Sequence, residues 1–141
     1  MDTEETFALT LAQVSRSWRA ALDARLRVSG FTQARWYTLL QLSRGQGMTQ
    51  RELAERVGVE GPTIGRLLDA LEMQGLIERR PASADRRANR LHLTTAAQPL
   101  LKEINRAAAA LRRDLLTGIP IEDLDTCVKV LKRIGDRLEQ R

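Results

Sequence analysis

Twelve residues, RRPASADRRANR from Arg79 to Arg90, hold five arginines and one acid, between short and mostly apolar stretches. Guanidinium groups at this density suit phosphate: each is planar, permanently charged and offers a fork of donors that matches an oxyanion. Asp85, inside the same run, can hold one arginine in a bidentate pair and reduce the ordering cost of binding. Repulsion among the arginines is offset by solvent and salt in the free chain and by phosphates in a complex. The competing reading is a solvated charge run in a mobile surface loop.

A second constellation lies just upstream in GPTIGRLLDALEMQG. Gly61, Pro62 and Thr63 are small residues at the start of an expected helix, so its first turn can approach base edges in a major groove without being held off. Arg66 falls one turn in on the outward face, within reach of a guanine edge or a phosphate. Other chemistry is poorly provided for. Cys127 and His92 are the single cysteine and histidine, far apart in sequence, and no Cys/His set at ligand spacing exists for a metal. GQGMTQ lacks the third glycine of a dinucleotide loop and follows a helix, and no GK[ST] phosphate loop occurs. The expectation is a non-enzyme without cofactor or metal. Cys127, beside Val128 on an apolar helical face, reads as an ordinary buried thiol, with a redox sensor as the alternative. His92 alternates outward on a strand.

These groups need elements to position them. Phe7, Leu11, Val14, Trp18, Leu22 and Leu26 recur at helical spacing, so a first helix is expected from about Thr3 to Val28, ended by Gly30. QARWYTLLQLSR continues as a second helix after Thr32. TQRE, Thr49 to Glu52, is a capping box that starts a third, short helix, which buries Leu53, Ala54 and Val57 and ends at a left-handed Gly58. The fourth helix restarts at Gly61 with Pro62 in its first turn and stops at Gly75; Ile64, Leu67, Leu68 and Leu71 make its apolar stripe, leaving Thr63, Arg66 and Ala70 outside.

LIERR and RLHLT, the latter alternating through Leu91 and Leu93, predict two strands of a hairpin with a long basic tip. A fifth helix is expected over Thr95 to Thr117, bent near Pro99, and a sixth carries Ile121, Leu124, Val128, Leu131, Ile134 and Leu138. Two short helices joined by GVEG followed by a hairpin make a winged helix-turn-helix; without the hairpin, the same two helices fit any bundle.

The chain has 141 residues and a net charge of +5, its basic residues overwhelmingly arginine, which favours a polyanionic partner. This length allows one domain with extra helices that a partner must cover. No signal segment and no spanning helix are read, and the lone cysteine fits a reducing compartment, so a soluble cytoplasmic protein without membrane contact is expected.

GPTIGRLLDALEMQGLIERR continuing into ADRRANRLHLT resembles the MarR family of bacterial transcription factors, most closely its SlyA-like branch. The resemblance extends over nearly the whole chain, and DRR in this context is its specific part. It implies a mainly α fold with a small β-hairpin: an N-terminal dimerisation helix over 1–30, a winged helix-turn-helix lobe over 31–95 and C-terminal dimerisation helices over 96–141, intertwined in a homodimer. It further implies a sequence-specific regulator of the repressor type on a pseudo-palindromic double-stranded DNA site. Gly61, Pro62, Thr63 and Arg66 would belong to the recognition helix in the major groove, and Asp85, Arg86, Arg87 and Arg90 to a wing in the minor groove. Which of Arg86 and Arg87 inserts is left open.

The apolar stripes of the first and the last two helices exceed what a small winged core can cover, which agrees with two-fold pairing, although they can also pack on their own core. Family resemblance also implies release from DNA by a small aromatic carboxylate. Arg16, Arg19 and Trp36 are the candidate pocket, set against ordinary packing for Trp36 and solvation for the arginines. A winged-helix module that docks an acidic protein is the competing function.

Overall fold

The structure, a computed structural model, describes residues 1–82 and 85–141, and the side chains of these apart from 82 and 85–88. Among the described residues it contains six helices and a three-stranded antiparallel sheet. By compactness the chain divides into residues 1–109 and 110–141.

In the first unit, α1 (Thr3–Arg27) is capped by Asp2, whose carboxylate accepts from the Glu5 amide at 2.7 Å, and carries Glu4 and Glu5 at its positive end and Arg25 and Arg27 at its negative end. Only its C-terminal half enters the core: Leu22 and Leu26 are buried, whereas Phe7, Leu11 and Val14 of the expected stripe are exposed. α2 (Gln33–Ser43) is capped by Thr32 and buries Trp36, Thr38, Leu39 and Leu42.

The Thr49 hydroxyl accepts from the Glu52 amide at 3.2 Å and starts α3 (Gln50–Val57), as the capping box predicts. Gly58 then takes φ 79°, where a side chain would be strained, and the chain turns into α4 (Gly61–Met73). Ile64, Leu68 and Leu71 of α4 are buried against a core that includes Leu39, Leu42, Leu53, Ile77, Leu91 and Ile104. Each such side chain contributes about 1.5–3 kcal/mol through burial, and together they fix where the outward face of α4 points.

The hairpin departs from expectation in two ways. Its strands, β2 (Ile77–Ala82) and β3 (Asp85–Leu93), run through most of the arginine-rich stretch, which is therefore paired backbone and not a long loop. Charged side chains on a two-faced edge ribbon carry no apolar alternation, so the pattern that marks a strand is missing there. β1 (Met48–Thr49) also adds to the far side of β3, in the order β1-β3-β2, with Met48 opposite Leu91 and Thr49 opposite Arg90. Two residues are too few for any periodicity to reveal. Pro81 sits on β2, an edge strand where its missing N–H costs no ladder bond toward solvent, and the register shifts between Pro81 and Ala82.

Beyond β3, Thr95–Ala97 form a 3-10 turn and α5 (Gln98–Leu116) begins only at Gln98. Pro99 thus lies in a first turn, where its lack of a donor is harmless. Leu101, Ile104 and Ala108 of α5 are buried.

In the second unit, α6 (Ile121–Glu139) has no buried residue; Ile121, Val128, Leu131 and Leu138 are all exposed. Cys127 is likewise exposed and not the buried thiol that its neighbours suggest, since α6 buries none of its residues in the single chain. No helix among the described residues is long and apolar enough to cross a membrane.

Candidate nucleic-acid interface

α4 presents one continuous outward face. Gly61, Pro62, Thr63, Arg66 and Ala70 are all exposed, while the helix is held from behind by Ile64, Leu68 and Leu71. Gly61 and Pro62 open the first turn, and Glu60, at the cap position, makes no side-chain hydrogen bond to it. A Cβ built on Gly61 meets nothing within 4 Å, so its lack of a side chain answers no need of the fold. Among the described residues Arg66 has no acidic partner, which leaves its guanidinium available.

The start of α3 and the wing border the same region. Thr49, Gln50, Arg51, Gly61, Ile64 and Asn89 line a cleft of about 690 Å³. The Gln50 amide lies close over α4, since a Cβ on Gly65 would stand 3.2 Å from its nitrogen. Gln50, Arg51 and Asn89 were not legible as members of this face, because their nearness to α4 depends on the α3–α4 packing and on the β3 register. The only signal in the sequence is the short distance from the capping box to Gly61.

The wing arginines differ in their surroundings. Arg79 is tied inward: its two terminal nitrogens lie 2.9 Å from Asp69 Oδ1 and 2.9 Å from Glu72 Oε1, both on α4, and its side chain is only 18% exposed. Arg80 pairs with Glu78 on its own strand. Arg90 is exposed and donates to the Gly47 carbonyl at 3.2 Å, which steadies it against the turn before β1. Arg86 and Arg87 belong to β3, but their side chains, and the proposed pairing of Asp85 with an arginine, lie outside the described residues. The charge of the basic stretch is thus offset in part by α4 carboxylates, an arrangement that the local sequence does not contain.

Of the three candidate effector residues, Trp36 is taken up by the core. Trp36 is 1% exposed, and its indole nitrogen donates to Asp23 Oδ1 at 3.0 Å, so it is a core residue that offers neither ring nor donor to a ligand. That bond, followed by one from Arg27, holds the Asp23 carboxyl below its ordinary value. Arg19 donates to the Tyr37 hydroxyl at 2.8 Å, and its guanidinium carbon lies 4.1 Å from the Tyr37 ring centroid. Arg16 is exposed. His92 is half-buried, with its ring edge near the turn at Gly47. No group of three or more His, Cys, Asp or Glu residues placed to hold a metal occurs among the described residues.

A profile of the MarR family matches residues 29–88, the span from the end of α1 into the wing. The solved transcriptional regulator PA3341 is 51% identical, with a TM-score of 0.87, over 96% of this chain and 99% of that one. The transcriptional regulator SlyA, 18% identical, superposes with a TM-score of 0.78 over 95% of this chain and 94% of its own. MarR from E. coli, 22% identical, gives 0.74 over 90% of this chain and 95% of its own. At such identities the last two speak to the fold alone.

Proposed function

The chain belongs to the MarR family of transcriptional regulators, and from that premise we propose that it works as a cytoplasmic homodimer that binds a pseudo-palindromic duplex DNA site and represses from it. α4 enters the major groove and the wing lies along the minor groove. The observation that carries this reading is the exposed face of α4: a first turn of small residues, Arg66 one turn in with no acidic partner among the described residues, and a basic hairpin alongside. Arg66 meets a base edge or phosphate, while Arg86, Arg87 and Arg90 supply cations to the backbone or to a narrowed minor groove.

Dimerisation is supported by uncovered apolar surface on single helices. Phe7, Leu11 and Val14 on α1, and Ile121, Val128, Leu131 and Leu138 on α6, are exposed in the single chain. Isologous pairing would bury such surface and, with recognition helices in successive major grooves, set them roughly 34–36 Å apart. Release by a small aromatic carboxylate is the second part of the reading. Arg16 and Arg19 provide the cations, and the half-buried ring of Tyr37, not Trp36, provides the aromatic partner.

Selection of bound fragments from a random duplex library tests the assignment, with an inverted repeat as the expected product. On that site, Arg66→Ala is expected to cost about 1–3 kcal/mol and to do so unevenly across base variants. A uniform or absent loss removes Arg66 from base reading. Retention of an acidic protein in the face of excess duplex would favour the protein-docking alternative.

A further inference from the structure

A helix that reads DNA is expected to carry positive charge, yet α4 contains Arg66, Asp69 and Glu72 and sums to −1. Asp69 is 69% exposed and lies three residues from Arg66, on the same side of the helix. That spacing brings a carboxylate within reach of the guanidinium, which would compete with DNA for it, and also places a negative charge beside the phosphates. Arg79 is the structure's answer. Strand alternation turns Arg79 to the same side as buried Ile77, toward α4, while Glu78 and Arg80 turn to the other. Its fork, on a mostly buried side chain, then gives one nitrogen to the more exposed Asp69 and one to Glu72, each at 2.9 Å.

We propose that Arg79 serves DNA binding without touching DNA, by cancelling the two carboxylates of the recognition helix and keeping Asp69 from capturing Arg66. With Arg79 counted, the α4 unit becomes neutral, and Arg66 is left as its uncommitted charge. Arg79 is therefore a positioning residue in an otherwise phosphate-seeking run, and differs in role from Arg86, Arg87 and Arg90. The inference rests on the DNA-binding reading above and adds a division of labour among the arginines.

The test uses the full chain and a labelled duplex recovered by selection on the wild type. Arg79→Gln is expected to weaken binding by about tenfold, the scale of one uncompensated charge near phosphate in a medium between water and protein interior. Its salt dependence stays at the wild-type slope, because no phosphate contact is lost. Asp69→Asn/Glu72→Gln in the Arg79→Gln background restores affinity to within about threefold, since the charges that Arg79 neutralised are gone. A triple variant as weak as Arg79→Gln, or a slope lower by about one unit in Arg79→Gln, shows that Arg79 contacts phosphate itself and overturns the inference. If Arg79→Gln alone fails to fold, as judged by circular dichroism, the folded triple variant still decides the matter by its affinity and slope. A wild-type chain that retains no duplex at all defeats the DNA-binding reading first, and so is distinguishable from failure of the inference.

Discussion

Replacing Gly61 by alanine separates the demands of folding from those of binding. The added Cβ meets no atom within 4 Å, and Gly61 is not among the glycines of positive φ, so the fold accepts alanine without strain. Gly61 is the first residue of α4, and a glycine in helical conformation gains about 0.4–1 kcal/mol from alanine, chiefly through lost freedom of the unfolded chain. For a chain of this size that raises Tm by roughly 1–4 °C. Binding moves the other way if the α4 terminus lies against the duplex. A methyl group forced into a packed contact costs about 1–3 kcal/mol, which corresponds to roughly five- to 150-fold in Kd. Circular dichroism melts and fluorescence anisotropy with a labelled duplex measure the two effects on one preparation. A raised Tm with unchanged Kd would refute the close approach of Gly61 to DNA, and a lowered Tm would refute the claim that the position is sterically free.

Three further perturbations address other parts of the molecule. Neutralising Arg86 or Arg87 to glutamine should lower the slope of log K against log salt by about 0.9 for each lost phosphate contact; unchanged slopes for both, in a titration at several salt concentrations, would take the wing off the DNA. Asp23 is held below its ordinary value of 3.8 by the Trp36 indole and then Arg27, so its contribution to stability is present above about pH 4 and is lost as pH falls through the lowered folded value. Urea melts between pH 2 and 6 should accordingly show a flatter acid limb for Asp23→Asn than for wild type; identical limbs would mean that the Asp23–Trp36 tie is energetically silent. Leu131→Asp adds a charge to an exposed position, so the helix should persist while sedimentation shifts from dimer to single subunit and Tm loses its dependence on concentration; a wild type that already sediments as one subunit would dispose of the dimer.

The order of helices, the capping box at Thr49, the left-handed Gly58 and the outward face of α4 were legible because each is set by residues within a few positions of one another. Periodicity misplaced what depends on partners. Phe7, Leu11 and Val14 belong to a helical stripe that the single chain does not bury, and Cys127 lies on an apolar face that stays exposed, since a stripe states that a surface is apolar and not what covers it. Trp36 was ambiguous for the same reason: an indole near arginines fits a ligand pocket or a core, and only the acceptor at Asp23, on another helix, decides for the core.

The sequence alone determined the local signals, namely caps, turns, the apolar stripe of α4 and a dense run of arginines next to it. Only the tertiary structure decided how those arginines are employed, because charge is a property of the residue but its partner is a matter of distance. Arg79 and Arg80 are neighbours of the same type. Yet strand alternation sends the first to Asp69 and Glu72 on α4 and leaves the second beside Glu78 on its own strand.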